Sequence, residues 1–277
     1  MVALACASLA AGGVWAASPA SAAVAVSSNW AGYAVAPSAR GGSAFSNISG
    51  SWTVPAAACS AGAETYSATW VGLGGFHESS QALEQIGTDA DCTRSGAAVY
   101  TAWYELVPAA PVTLKLKVHV GDQMTASVTV KGHGVTLRIR DLRTGASVTQ
   151  TRRVSKLDAS SAEWIVEAPS VCVGTDVCRT LTLTNFGSVG FSGLSATAGG
   201  HVGSLEDPLW SVTELELREA QHLFHGQRVA VTSTSGAAVP SALAKAGSAF
   251  AVTWSEQPAP TEQPEPSTPP GLGGGPA

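Results

Sequence analysis

Short runs in which apolar and polar residues alternate recur along most of the chain. Between residues 23 and 256 they include "GSWTVP", "YSATWVGLG", "AVYTAWYELVP", "VTLKLKVHV", "QMTASVTV", "GVTLRIRDL", "AEWIVEAP", "RTLTLTNF", "TELELRE", "RVAVTST" and "AFAVTW". A period of two sends successive side chains to opposite faces, which is the mark of a β-strand. In "LKLKVHV" and "LRIRDL" the apolar residues fall on one face and the basic ones on the other, as in a half-buried antiparallel strand. Gly, Pro, Asn and Asp punctuate the runs, and no long helical period intervenes. The pattern predicts an all-β chain folded as an antiparallel β-sandwich. One stretch, "VPSALAKAG", is compatible with a single helical turn. No internal boundary interrupts the series, so residues 23–256 read as one domain.

The two ends break the pattern. "MVALACASLAAGGVWAASPASA", residues 1–22, is apolar, rich in small residues and closed by Ala20-Ser21-Ala22. That pattern predicts an export signal with an A-x-A cleavage site, although no Lys or Arg precedes its apolar run; a buried N-terminal segment is the other reading. After Trp254 the chain turns to Pro, Gly and acidic residues, with almost nothing to bury; residues 257–277 are expected to be a disordered tail. No later run has the roughly 20 apolar residues that a membrane span needs.

Composition narrows the partners. The chain has 277 residues, 45% hydrophobic and 13% charged, with a net charge of −5. A nucleic-acid partner would call for a clustered basic surface, and the 15 Lys and Arg are spread out. Once Cys6 leaves with the signal, four cysteines remain. An even count in an exported chain predicts two disulfides. Cys172 and Cys178 bracket the short loop "CVGTDVC", and Cys59 with Cys92 then follows by elimination.

Familiar catalytic signatures are missing. There is no G-x-S-x-G, no HExxH and no phosphate-binding glycine loop. No CxxC or paired-His spacing suggests a metal, and no cofactor is expected. In "AEWIVEAPS", Glu163, Ile165 and Glu167 share one face of a strand, and Trp164 and Val166 the other. Two acids on one face suggest a groove lined by carboxyl and aliphatic groups. They are about 13 Å apart along the strand. That is too far for a glycosidase pair, which needs roughly 5–9.5 Å.

Five segments, taken in order, resemble the glutamic peptidases, or eqolisins: "SSNWAGYAV" at 27–35, "TWVGLGG" at 69–75, "LEQIG" at 83–87, "YTAWYELVP" at 100–108 and "AEWIVEAP" at 162–169. The resemblance implies a sandwich of two curved sheets, about seven strands each, and peptide hydrolysis by one Gln and one Glu. These fall on Gln85 and Glu167. It further implies that Trp70, Trp103 and Glu105 line the substrate cleft. Gly74 stands where fungal members usually carry Asp. Glu163 is left as cleft-side support. The chemistry is self-consistent. A carboxylate takes a proton from water and returns it to the leaving nitrogen, and an amide N–H stabilises the oxyanion. The expectation is a secreted, monomeric acid endopeptidase acting on proteins or peptides. Two alternatives stand beside it. One is a concanavalin-like sandwich that binds or hydrolyses carbohydrate, for which eight Trp would supply platforms. The other is an inactive relative serving as a surface adhesin.

Overall fold

The computed structural model describes residues 22–38, 43–173, 177–218, 222–224, 227–229 and 236–256. The expected signal (save Ala22), the expected tail at 257–277 and most of "RVAVTST" lie outside the described residues. Twenty strands are described. The first seven are β1 (Ala23–Ser27), β2 (Trp30–Pro37), β3 (Phe45–Thr53), β4 (Ala68–Gly74), β5 (Leu83–Cys92), β6 (Ala98–Val107) and β7 (Val112–Thr113). Next come β8 (Gln123–Lys131), β9 (Gly134–Asp141), β10 (Ser147–Arg153), β11 (Ala162–Glu167), β12 (Ser170–Val173), β13 (Val177–Thr180) and β14 (Ser188–Ala198). The last are β15 (His201–Gly203), β16 (Trp210–Leu217), β17 (His222–Phe224), β18 (Gln227–Val229), β19 (Gly236–Pro240) and β20 (Ala249–Glu256). No helix is present among the described residues.

Hydrogen bonding links most of these strands in one path, β10-β9-β8-β3-β14-β20-β19-β16-β2-β11-β4-β5-β6-β7. The path folds back on itself. β4 and β5 pack against β8, and β11 against β3, without pairing with them. The molecule is therefore a sandwich, with β10 to β20 as one layer and β16 to β7 as the other. The layers stay joined at one margin, where β19 pairs with β20 on one side and meets β16 through Leu217 and Ala238 alone. The expected pair of seven-stranded sheets thus appears as one large open sheet, doubled over.

Between the layers lies the apolar core that the alternation demanded. Tyr33, Ile48, Leu137, Ile139 and Trp164 are all essentially without exposed surface. Burying each such side chain contributes about 1.5–3 kcal/mol. Two indoles cross the gap and find acceptors opposite. Trp164 Nε1 donates to the Ser49 carbonyl at 2.9 Å, and Trp52 Nε1 donates to the Thr88 hydroxyl at 2.9 Å. A buried indole N–H without such a partner would carry a desolvation cost, so these bonds fix how the layers register.

Some expectations fail in instructive ways. "VTLKLKVHV" forms only the two-residue β7; Leu114 N still donates to the Ala102 carbonyl at 2.7 Å, and past it the chain bends and forms no strand. Its alternation is real, because Leu114, Leu116 and Val118 reach the core while Lys115, Lys117 and His119 face solvent. "RTLTLTNF" likewise leaves the ladder after Thr180. "VPSALAKAG" closes in a turn rather than a helix, with Lys245 and Ala246 at φ 51° and 54°. The Cys59–Cys92 disulfide is formed. Cys172 and Cys178 face each other in the β12–β13 register, and their side chains lie outside the described part.

Candidate active site

Five neighbouring strands, β2, β11, β4, β5 and β6, carry the site on the face turned away from the core. Their registers set residues in three rows. Trp30, Glu167, Ala68, Asp89 and Thr101 form the first. Gly32, Ile165, Trp70, Gly87 and Trp103 form the second. Ala34, Glu163, Gly72, Gln85 and Glu105 form the third. All five sequence-derived candidates, Gln85, Glu167, Trp70, Trp103 and Glu105, therefore share one surface.

Trp70 is the centre of this face and has no exposed surface. Its indole can lie down because both neighbouring positions lack a side chain. A Cβ on Gly72 would come within 2.9 Å of Trp70 Cζ3, and one on Gly87 within 2.6 Å of Trp70 Cβ. Lying there, Trp70 Nε1 donates to Glu167 Oε2 at 2.8 Å. Asn29 Nδ2 donates to the other oxygen, Oε1, at 3.1 Å. Trp30 meets Trp70 edge-on at 5.1 Å between ring centres. Both carboxylate oxygens of Glu167 are thus held from different strands and loops, which fixes their direction.

Gln85 is 4% exposed and bonds through Nε2 to Glu105 Oε2 at 2.7 Å. No direct hydrogen bond joins Gln85 to Glu167; Glu105 stands between them electrostatically. Burial pushes Glu167 up to about 7, and the Glu105 charge adds to the rise, against the pull of the Trp70 and Asn29 donors. Glu105 is raised by burial, with the Gln85 amide opposing. Asp89 joins the same face; burial lifts it to about 6 despite a 2.7 Å bond from the Thr101 hydroxyl. Three buried polar atoms beside these acids make no hydrogen bond of good geometry, Gln85 Oε1, Trp30 Nε1 and Trp103 Nε1; the two indoles still oppose the rise of Glu167 and of Asp89 respectively. A rigid acid beside an amide whose oxygen can accept from water, and whose nitrogen keeps a second N–H beyond the one given to Glu105, is a setting in which water can be polarised and an oxyanion held. Among the described residues no three His, Cys, Asp or Glu side chains converge in a way that could hold a metal ion.

Glu163 departs from expectation. It lies on the predicted face, but it is completely enclosed and lines no open groove. Neither of its oxygens accepts a hydrogen bond of good geometry, and burial raises it well above the usual carboxylate range against the opposing pull of Ser161. Gly74 has a local explanation. A Cβ there would fall 2.6 Å from Asp158 Cβ and 2.9 Å from its carboxyl carbon. Asp158, from the segment before β11, fills the space beside position 74 and accepts from Gly75 N at 3.3 Å and from the Ser80 hydroxyl. Asn29 and Trp30 are the residues the sequence reading did not single out. Both sit in the quoted "SSNWAGYAV", but only the fold brings them onto Glu167.

The Peptidase A4 family model matches residues 28–239. The chain belongs to the Peptidase A4 family. It is a hydrolase of the glutamic-peptidase class, and its solved relatives agree. Scytalido-glutamic peptidase, determined with a peptide-based transition-state analogue, is 25% identical at a TM-score of 0.61. That match covers 82% of this chain and 98% of that one. The eqolisin SCP-B, in complex with the tripeptide Ala-Ile-His, is 24% identical at a TM-score of 0.58 over 82% of this chain and 98% of its own. Aspergilloglutamic peptidase from Aspergillus niger is 25% identical at a TM-score of 0.51, over 69% of this chain and 99% of its own. No curated protein sequence matches.

Proposed function

We propose that this peptidase is a secreted, monomeric acid endopeptidase in which Glu167 is the general base and Gln85 the oxyanion donor. The observation that carries the assignment is the double anchoring of Glu167 by Trp70 and Asn29, on the same face as the buried Gln85. Glu167 takes a proton from water as the water oxygen bonds to the scissile carbonyl carbon. The carbonyl electrons move onto oxygen, where the Gln85 amide N–H meets them. Glu167 then gives the proton to the amide nitrogen, the C–N bond breaks, and a carboxylic acid and an amine leave. Trp70 orients the base. Trp103 flanks the site, its buried indole turned toward Asp89.

The acid assignment follows the eqolisin resemblance. Both carboxyls of the Glu105–Glu167 pair are raised by burial. Glu167 works as a base only as the anion, so this pair sets the acid limit of the working range. The remaining assignments accompany this reading: residues 1–22 as an export signal, 257–277 as a tail without a folding role, and Cys172–Cys178 as a second disulfide. Protein or peptide substrates are the partners, with no nucleic acid and no membrane. The test is digestion of a denatured protein across pH 3 to 7, by wild type and by Glu167→Gln. Cleavage by wild type that survives chelators, serine-directed phosphonates and thiol alkylators, and is lost in Glu167→Gln, is expected. Abolition by a chelator overturns the reading.

A further inference from the structure

A cavity adjoins the acid cluster. Its volume is about 270 Å³. Its floor is two cross-strand pairs, Ala25 with Leu215 and Leu83 with Val107. Phe76 covers it from the loop after β4, and Trp30 walls it toward the site. These six residues pack in one apolar cluster with Trp70 and Trp103. Leu83 lies two residues before Gln85, and Val107 two after Glu105, on the same strand faces. Asn29 belongs to both places, lining the cavity and holding Glu167.

The roof is built rather than draped. Ser80 accepts from Gly75 N at 3.2 Å, donates to the Ala82 carbonyl at 2.9 Å and bonds Asp158. Ser80 N also donates to the His77 carbonyl at 2.8 Å. The loop is therefore tied on both sides of Phe76. Pockets for whole small ligands run from roughly 300 to 1,000 Å³, with several polar groups to orient the guest. This one is smaller and mostly apolar, which suits one side chain whose backbone is held elsewhere.

We propose that this cavity is the subsite that selects a large apolar side chain, leucine- or phenylalanine-sized, of the peptide substrate. The proposal rests on the peptidase reading. It assigns specificity to Ala25, Leu83, Val107 and Leu215, which are remote in sequence. Ala25 is the small member, so its enlargement fills the space from an edge strand. Leu83→Ala enlarges the space from the other pair of the floor.

The experiment is cleavage-site profiling of a peptide library by mass spectrometry, followed by kcat/KM on matched peptides differing only at the selected position. Wild type should favour Leu, Phe or Met at one fixed position relative to the cut bond. Ala25→Leu should lower the Leu-to-Ala preference there by roughly tenfold or more, since a methylene in an apolar pocket is worth about 10–200-fold. Leu83→Ala should shift the preference toward larger residues at that same position. A profile flat at every position, or unchanged in both variants, overturns the proposal while leaving the peptidase reading intact. If wild type cuts nothing, calorimetric binding of the same matched peptides decides separately. Tighter binding of the Leu peptide, lost in Ala25→Leu, keeps the subsite and removes the chemistry. Equal binding removes both.

Discussion

Glu167 is unusual for how completely its two oxygens are claimed: one by an indole, one by an amide, and the whole group within the field of a second acid. A base so oriented loses little on reaching the transition state, which is where positioning is worth most. Glu167→Gln, nearly isosteric, should lower kcat by about 10²–10⁴ with circular dichroism unchanged. Gln85→Ala removes an oxyanion donor and should lower kcat by about 10²–10³. Together they should cost little more than Glu167→Gln alone, because residues acting as a unit are not additive. Glu105 calls for a different measurement. Its charge raises Glu167, and a general base is active when deprotonated, so activity should climb with pH through the Glu167 pKa. Glu105→Gln removes the anion but keeps an acceptor for the Gln85 amide. Glu167 then ionises more readily, and the rising limb of kcat/KM should move to lower pH. A limb that stays in place, or moves upward, would deny Glu105 this positioning role.

At the scale of strands, the paired glycines of β4 and β5 explain why a Trp can lie flat among them. A Cβ on Gly87 would meet the Thr69 carbonyl at 2.4 Å and Trp70 Cβ at 2.6 Å. Neither neighbour is a flexible chain end, so Gly87→Ala should force β4 and β5 apart. Overpacking of this kind costs about 1–3 kcal/mol, and the tilt of Trp70 away from Glu167 should lower kcat as well as Tm. Strand alternation made the layers legible beforehand, as did the face shared by Glu163, Ile165 and Glu167. What alternation does not encode is pairing. "VTLKLKVHV" buries its leucines as a strand would, yet after β7 its backbone has no ladder, because burial rewards the side-chain pattern whether or not a neighbour completes the hydrogen bonds. Nor does it distinguish a lined groove from a sealed pocket. Glu163 and Glu167 share a face, but the segment carrying Asp158 and the loop after β4 close over one end of it. Asn29 and Asp158 reach the site from outside the strand rows, and their partners depend on loop paths that no local period contains.

Over the whole molecule, buried acids set the response to pH. Among the described residues Glu84, Asp89, Asp91, Glu105, Glu163 and Glu167 are all raised, and burial is the first cause in each. Asp141 and Asp158 are lowered. A raised acid binds its proton more tightly in the folded chain than in the unfolded one. Its contribution to stability is present below the unfolded pKa and is lost as pH rises through the folded value. The two lowered acids work the other way, weakening the fold only as pH falls below their usual range. Six against two means that stability should decline from about pH 4.5 toward about pH 8, where Glu84 titrates. Glu84 and Glu163 dominate that decline. They are 1% and 0% exposed, none of their four oxygens has a hydrogen bond of good geometry, and each lies in the field of Asp158. Neutral at acid pH, they are tolerated; ionised, they would be uncompensated buried charges. Thermal unfolding followed by circular dichroism at pH 4 and pH 7.5 should give a lower Tm at the higher pH. In Glu84→Gln/Glu163→Gln the amides carry their own burial cost, but that cost is equal at both pH values. The gap between the two melting temperatures should therefore shrink. An undiminished gap would mean that these carboxyls are already paired or solvated, and that the pH response of the fold originates elsewhere.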